Sequence, residues 1–122
     1  MTIRVRRIYD APGDEDGYRI LVDRLWPRGI SKDKAYVDLW MRDVSPSTDL
    51  RTWFGHRAER WEGFRERYTR ELDAHGELLD LVKDIEHHRG QVTLLFGARD
   101  EEHNEARVLA EVLTRHPDHA HH

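Results

Sequence analysis

The sequence predicts a single α/β domain, a Rossmann-like layered sheet flanked by helices. Short apolar runs typical of strands alternate along the chain with segments whose apolar residues recur at helical spacing. A length of 122 residues is sufficient for one hydrophobic core and too small for two substantial ones. We therefore expect one domain over residues 1–115, followed by a disordered His-rich tail over residues 116–122.

Four segments of the sequence are typical of β-strands. Residues 2–9 and residues 37–43 alternate apolar and polar side chains, which indicates strands with one buried face. Residues 18–23 and residues 91–98 contain unbroken apolar runs, which indicate strands covered on both faces.

A short helix is predicted after the third strand. Ser45 followed by Pro46 is typical of an N-cap and a first helical residue, and Gly55 is typical of a helix end. The helix is therefore expected to continue to Phe54. Residues 26–34, between the second and third strands, contain proline, glycine and serine and are predicted to form a loop.

Three longer helices are predicted over residues 58–74, 77–88 and 100–113, because apolar side chains recur there along one stripe. The stripe residues are Trp61, Phe64, Tyr68 and Leu72 in the first helix, Leu78, Leu81, Val82 and Ile85 in the second, and Ala106, Leu109, Ala110 and Leu113 in the third. Gly90 closes the second helix. The acidic residues 100–102 stand at the start of the third, where the positive end of the helix dipole would stabilise them.

Charge is distributed unevenly along the chain, whose formal net charge is −4. Residues 19–70 contain 12 Lys and Arg against 8 Asp and Glu, whereas residues 71–122 contain 5 against 12. One region of the surface can therefore attract anions, with two ordinary solvated faces as the alternative. The isoelectric point of about 6.1 lacks the basic excess of nucleic-acid-binding domains, so we expect no nucleic-acid partner.

The chain contains no cysteine. This excludes disulfides, thiolate nucleophiles and cysteine metal sites, and it suits a reducing compartment. The amino-terminal segment includes no apolar targeting stretch, and no window approaches ~18 consecutive apolar residues. We therefore expect a cytoplasmic protein without a membrane partner.

Candidate functional residues follow the predicted strands. In open α/β sheets, ligands bind in the crevice beyond the carboxyl ends of the strands, so we expect a site in the loops after Val22, Met41 and Phe96. The predicted ligand-binding residues are Arg24, Trp26, Arg28, Ser45 and His103, and the groups available for catalysis are Asp23, Asp43 and His56. We expect the ligand to be small and either anionic or nucleotide-like.

The loop from Asp23 to Arg28 carries most of this prediction. Arg24 and Arg28 suit a phosphate or carboxylate, because a guanidinium group can donate two parallel hydrogen bonds. Trp26 adds a flat surface on which a base or ring can stack. The alternative is structural: Asp23 pairs with Arg24 inside the loop, while Trp26 and Pro27 pack on a small core.

The sequence does not decide whether the protein is an enzyme. A hydrolase acting on a nucleotide or glycosidic bond needs a positioned acid or base, and the catalytic candidates could provide one. His56 can equally stabilise the carboxyl end of the preceding helix. No metal site is predicted, because His87 and His88 point about 100° apart on a helix and four of the nine histidines lie in the tail. No cofactor is predicted either, since no glycine-rich phosphate-binding motif is present.

Two alternatives belong to other functional classes. In the first, the loop around Trp26 and Arg28 is the protein-binding edge of a non-enzymatic interaction domain, since these residue types are common at interface hot spots. In the second, the arginines of residues 51–70 contact nucleic acid. The surroundings of Trp26 and Arg28 distinguish the ligand-binding hypothesis from the protein-binding hypothesis. If they line a concave pocket, a small ligand is favoured, and if they lie on a flat exposed patch, a protein partner is favoured.

Three stretches of the chain resemble the YeaO-like branch of the domain of unknown function 488 family. The resemblance is carried by VDRLWPRGISKDKAYVDLWMRDVSPSTDLRTWFGH, RWEGFRERYTREL and QVTLLFGARDEEHNEARVL. It covers nearly all of the chain outside the tail. It implies a Rossmann-like α/β domain and leaves the function to be inferred from the site residues.

The resemblance also implies a difference from other branches, which carry a D-x-R…P-x-S stretch after an early strand and a C-x-E…C-H-R stretch after a late one. Residues 22–27 of this chain resemble the first stretch. Phe96 stands where the second stretch begins with cysteine, and residues 102–104 replace its cysteine, histidine and arginine, so that only His103 is kept. Any cysteine chemistry of the relatives is therefore lost or changed here.

Overall fold

The computed structural model describes residues 2–117, so residues 118–122 of the predicted tail lie outside the described residues. Its four strands form one sheet in which every neighbouring pair is parallel. The strands are β1 (Thr2–Arg7), β2 (Tyr18–Leu21), β3 (Leu39–Trp40) and β4 (Gln91–Phe96), in the spatial order β1-β4-β2-β3. The predicted α/β class is confirmed.

Five α-helices in the described part of the chain cover this sheet. They are α1 (Lys32–Ala35), α2 (Thr48–Phe54), α3 (Trp61–Asp73), α4 (Gly76–Arg89) and α5 (Glu105–Arg115). Helices α2 to α5 pack on one face of the sheet and form the larger core. Helix α1 and the segments beside it pack on the other face and form a smaller core. Among residues 2–117, no helix is both long and apolar enough to span a membrane.

Burial on both faces explains the unbroken apolar runs of β2 and β4. Ile20 and Leu94 belong to the larger core, while their chain neighbours Leu21 and Leu95 belong to the smaller one. All four side chains are fully buried. Strands covered on both faces are what such runs predict in a parallel sheet.

The third strand is shorter than the predicted segment 37–43. Only two of its residues pair with β2, because the chain leaves the sheet in a 3-10 turn at residues 42–44. Alternation predicted Val37 and Leu39 on the same side, but Val37 packs in the smaller core and Leu39 against the larger one. The preceding Tyr36 has a left-handed backbone with φ of 51°, so the chain turns before the strand begins.

Helix α2 begins later than the sequence predicts, because its N-cap is Ser47 rather than Ser45. The hydroxyl of Ser47 accepts a hydrogen bond from the N–H of Leu50 at 3.2 Å. The carboxylate of Glu71 on α3 accepts hydrogen bonds from the N–H and the hydroxyl of Ser47, at 2.8 and 2.6 Å. A contact from another helix therefore selects which serine caps α2.

Helix α5 also begins later than predicted, after the acidic run at residues 100–102. Its N-cap is Asn104, whose side-chain oxygen accepts a hydrogen bond from the N–H of Arg107 at 3.1 Å. The carboxylate of Asp100 accepts hydrogen bonds from two backbone N–H groups of the loop, both at 2.9 Å. Asp100 therefore stabilises a turn before the helix instead of the first turn of the helix.

The buried stripe of α4 differs from the prediction at one position. Leu79 and Val82 are buried, whereas Leu81 is 44% exposed. Four of the residues from 78 to 82 are apolar, so two rotations of the helix satisfy the pattern equally well. Packing against the sheet selects the rotation that buries Leu79.

Helix α1 occupies part of a segment that the sequence predicts as a loop, and a buried arginine stabilises its end. Arg19 on β2 donates hydrogen bonds from Nε to the carbonyl of Tyr36 at 2.9 Å and from Nη2 to the carbonyl of Ala35 at 3.0 Å. Carbonyl groups at a helix carboxyl end have no partner within the helix. A long-range contact thus supports a one-turn helix that the local pattern did not indicate.

Asp16 is the counter-ion of this arginine. Its carboxylate accepts hydrogen bonds from Arg19, from Arg6 at 2.9 Å and from the N–H of Gly13 at 3.2 Å. Burial opposes ionisation of Asp16, which is 1% exposed, but these hydrogen bonds and positive charges outweigh it. The pKa of Asp16 is therefore lowered from its usual value.

We predict that Asp16→Ala lowers the free energy of unfolding by about 3 kcal/mol, because the buried guanidinium of Arg19 loses its counter-ion. Chemical denaturation measures the change. Since the pKa of Asp16 is lowered, its stabilisation is complete above about pH 4 and is lost as the pH falls further. The matched control is Glu15→Ala, because Glu15 is 84% exposed and pairs with Arg4 only at 3.5 Å. It should cost less than about 0.5 kcal/mol, and equal losses in the two variants would contradict the prediction.

Candidate functional site

The loops after β2 and β4 leave the sheet toward opposite faces. The chain leaving β2 continues to α1 over the smaller core, whereas the chain leaving β4 continues to α5 over the larger core. In an open parallel sheet, such divergence opens a crevice beyond the carboxyl ends of the two strands, where ligands bind. The candidate site lies at this crevice.

Asp23 and Gly97 connect the two loops across the crevice. Oδ2 of Asp23 accepts a hydrogen bond from the N–H of Gly97 at 2.9 Å. A β-carbon on residue 97 would lie 2.9 Å from Asp23 Oδ2 and 3.2 Å from the β-carbon of Pro27. Glycine therefore permits a close approach of the loops that any other residue would disturb.

Two cavities open beside this connection. The first has a volume of about 400 Å³ and is lined by Asp23, Arg24, Leu25, Ser45, Pro46, Arg51, Thr52, Phe54, His56, Phe64, Ala98 and Glu105. The second has a volume of about 640 Å³, and its polar lining residues are Arg24, Asp43, Ser45, Ser47, Tyr68, Glu71, His75 and Glu77. Both volumes lie in the range of small-molecule binding sites.

Asp23 and Glu105 form a carboxyl pair in the first cavity. Oδ1 of Asp23 is buried and receives no hydrogen bond from a donor group within residues 2–117, but the carboxyl of Glu105 is adjacent. Burial, and then Glu105, raise the pKa of Asp23 to about 9, although the N–H of Gly97 acts in the opposite direction. At neutral pH Asp23 therefore keeps its proton. The pair carries one negative charge.

Two arginines line the same cavity. The Nε atoms of Arg24 and Arg51 are buried and have no hydrogen-bond partner in the described part of the chain. Arg51 donates from Nη2 to the hydroxyl of Thr48 at 3.3 Å, whereas Arg24 makes no hydrogen bond or ion pair within residues 2–117. A buried donor without an acceptor costs about 1–3 kcal/mol, so both guanidinium groups would gain from binding an anion.

His56 and Ser45 also line the first cavity. His56 follows the C-cap Gly55 of α2 with a left-handed backbone, φ 57°, and its ring lies 5.8 Å from the ring of Phe54. The hydroxyl of Ser45 donates to the carbonyl of Arg42 at 2.6 Å and closes the 3-10 turn. The turn after β3 and the end of α2 thus bring these two side chains to the crevice.

Trp26 and Arg28 lie outside the lining of both cavities. The indole N–H of Trp26 donates to the carbonyl of Ile30 at 2.7 Å, and its ring packs edge-on against Trp40 with centroids 5.5 Å apart. Trp26 therefore packs on the smaller core, as the structural alternative for this loop anticipates. Arg28 is exposed, and its carbonyl accepts a hydrogen bond from the hydroxyl of Tyr9 at 2.6 Å.

Asp43 and His103 complete the set of predicted site residues. Asp43 is exposed and lines the second cavity. Nδ1 of His103 lies 2.9 Å from the carboxylate of Asp100, and its ring packs edge-on against Trp61 at 5.0 Å, away from both cavities. The interactions with His103 are the main reason that the pKa of Asp100 is lowered. The predicted site residues that converge on the first cavity are Asp23, Arg24, Ser45 and His56.

Sequence reasoning missed Glu105 and Arg51. Arg51 stands three residues before the buried Phe54, a spacing that places both side chains on one side of α2 and could have indicated it. No local signal marks Glu105, because its role depends on a contact with Asp23, far away in the sequence. Phe64, which also lines the cavity, is predicted only as a residue of the apolar stripe of its helix.

The fold and the crevice define an α/β domain with a ligand-sized cavity at the loop edge of a parallel sheet. A family model described as "Inactive DUF488-N3 subclade" matches residues 2–121, and the chain belongs to this family. The resemblance to the YeaO-like branch of the domain of unknown function 488 family is thereby confirmed.

Similar proteins occur in Escherichia coli and Mycobacterium tuberculosis. The chain is 42% identical over 113 residues to the "uncharacterized protein YeaO" of Escherichia coli. The aligned region covers 93% of this chain and 97% of the relative. It is 41% identical over 111 residues to an "uncharacterized protein" of Mycobacterium tuberculosis. That aligned region covers 91% of this chain and 92% of the relative. No solved structure matches the chain significantly.

We predict that Asp23→Asn changes how stability depends on pH. Because the pKa of Asp23 is raised, wild-type protein loses unfolding free energy as the pH rises from about 4 toward 9, and the variant lacks this loss. The free energy of unfolding of the variant, relative to that of wild type, should be higher at about pH 8 than at about pH 5. The increase should be at least about 1.4 kcal/mol, the equivalent of one pKa unit. Denaturation at both pH values measures it.

The matched control for this experiment is Asp43→Asn, since Asp43 is exposed and lies outside the first cavity. Its stability relative to wild type should be the same at both pH values. A gain for Asp23→Asn no larger than that of the control would mean that Asp23 ionises in its usual range.

Proposed function

We propose that the first cavity binds a small anionic or nucleotide-like ligand. The observation that carries this proposal is Arg24, whose guanidinium lines the cavity with a buried Nε and no partner within residues 2–117. The buried Nε has lost hydration without gaining a hydrogen-bond acceptor, and the guanidinium has gained no counter-ion, which is unfavourable. A phosphate or carboxylate would supply both the charge and the hydrogen-bond acceptors.

The charges that line the cavity also support an anion. Arg24 and Arg51 contribute two positive charges, whereas Asp23 keeps its proton, so that Asp23 and Glu105 together contribute one negative charge. The net charge of these four side chains is therefore positive at neutral pH. Water exclusion strengthens the attraction between this charge and an anion.

Apolar side chains support a ring-bearing ligand. The rings of Phe54 and Phe64 stack with centroids 4.4 Å apart, and both contribute to the cavity lining. Leu25, in the same lining, is 73% exposed and is available to cover a bound molecule. A base or other flat ring binds favourably against such a surface. A molecule with a ring and an anionic group therefore fits better than a simple anion.

Binding without turnover is the role that these observations favour. The family is described as an inactive subclade, and the chain has no cysteine that could act as a nucleophile. A hydrolase acting on a nucleotide or glycosidic bond would have to use the protonated Asp23 or His56 as its acid or base. Hydrolysis is therefore the second candidate.

The other functional classes have less support. A protein-binding edge at the loop of residues 26–29 would need an available Trp26, but its ring is engaged in the smaller core. Nucleic-acid binding would need unpaired arginines along residues 51–70. Several of these arginines pair with acids instead, such as Arg65 with Glu111 at 2.8 Å.

The proposal predicts that Arg24→Ala weakens the binding of an anionic ligand by about tenfold or more, because charge-assisted hydrogen bonds contribute about 1.5–3 kcal/mol. Thermal-shift screening of wild type against inorganic phosphate, nucleotides, sugar phosphates and carboxylates finds the ligand. Calorimetry then compares the variants.

Arg28→Ala is the matched control, since Arg28 has the same side chain in the same loop but lies outside both cavities. It should keep the wild-type affinity within about twofold. Equal affinities in the two variants, or the absence of any stabilising anion for wild type, would overturn the proposal.

A further inference from the structure

We infer that the binding site extends past Arg24 into the second cavity and accepts a nucleoside diphosphate esterified to a polyhydroxyl group. The diphosphate would lie at Arg24 and Arg51, with the base in the first cavity and the hydroxyl-bearing group in the second. This inference rests on the proposed function and specifies the class of ligand.

Arg24 lies where the two cavities meet. Arg24 and Ser45 line both the first cavity of about 400 Å³ and the second of about 640 Å³. Arg24 has a buried Nε and no partner within residues 2–117, so an anion bound to it would lie between the cavities. A ligand whose anionic group is in its middle can occupy both cavities, whereas one with a terminal phosphate leaves the second to water.

Two guanidinium groups suit a diphosphate at this position. Arg51 lines only the first cavity and Arg24 lines both, so the positive charge extends from one cavity to the junction. A diphosphate linked at both ends carries one negative charge on each phosphate. Guanidinium groups bind such oxygens with paired hydrogen bonds.

Carboxylates provide much of the polar lining of the second cavity. The oxygens of Glu71 already accept hydrogen bonds from Ser47. Glu77 is 73% exposed and lies 3.6 Å from His75, and Asp43 makes no hydrogen bond or ion pair within the described residues. Asp43 and Glu77 therefore have acceptor capacity for a ligand.

These acceptors favour hydroxyl groups over another phosphate. A carboxylate repels a phosphate but accepts hydrogen bonds from hydroxyl groups. Leu72 and Leu78 supply an apolar part of the same lining, which suits the C–H groups of a sugar ring. A sugar meets both requirements, so the group in the second cavity should be polyhydroxylated and uncharged.

Isothermal titration calorimetry of the full chain tests this by comparing nucleoside diphosphates with their sugar esters. The pairs are ADP against ADP-ribose and UDP against UDP-glucose. At least one ester should bind about tenfold or more tightly than its parent diphosphate, because only the ester fills the second cavity.

Two substitutions locate the sugar. Asp43→Asn and Glu77→Gln, combined, should reduce the advantage of the ester to less than about threefold while the affinity for the diphosphate stays unchanged. Asp49→Asn is the matched control, since Asp49 is exposed on α2 and lies outside the lining of both cavities. This variant should bind the ester more tightly than the diphosphate by the same factor as wild type.

Three results would overturn the inference. Equal affinities for ester and diphosphate would exclude the second cavity as part of the binding site. If the ester still binds more tightly than the diphosphate after the combined substitutions, the sugar lies elsewhere. Failure of all four compounds to bind would also overturn it. The proposed function survives that result if phosphate, a sugar phosphate or a carboxylate still binds and Arg24→Ala weakens its binding, so the two failures are distinguishable.

Discussion

The hydrogen bond from the N–H of Gly97 to the carboxyl of Asp23 is the contact on which the site depends. It joins two loops that leave the sheet toward opposite faces, and the absence of a side chain on Gly97 permits their close approach. Because Asp23 is engaged by the opposite loop and by Glu105, it does not neutralise Arg24. The crevice therefore keeps a guanidinium group whose charge is available to a ligand.

Asp16 and Asp23 show how neighbours decide the ionisation of one residue type. Asp16 lies between Arg6 and Arg19, so its pKa is lowered and its negative charge stabilises the fold. Asp23 lies beside another carboxyl, so its pKa is raised and it keeps a proton. The first carboxylate compensates its arginines, whereas the second leaves the arginines of the cavity without full compensation. The structural ion network and the proposed binding site thus follow from the same electrostatic rules.

Local pattern predicted those features that local interactions decide. Apolar runs at residues 18–23 and 91–98 became the central strands, and the helical stripe from Trp61 to Leu72 became the packed face of α3. The prediction failed where distant residues compete with local signals. Ser47 replaces Ser45 as a cap because Glu71 binds it, and helix α1 forms because Arg19 binds its last carbonyl groups.

Periodicity and motif predicted the fold class, the family and the loop that contributes Asp23 and Arg24, because both are properties of neighbouring residues. Tertiary structure alone decided which side chains of that loop reach the cavity. Burial of apolar area moves Trp26 into the smaller core, and the raised pKa of Asp23 depends on its burial and on Glu105, whose position is set by the packing of α5. Both effects require contacts between residues far apart in the sequence, and these contacts form only when helices and loops pack on the two faces of the sheet.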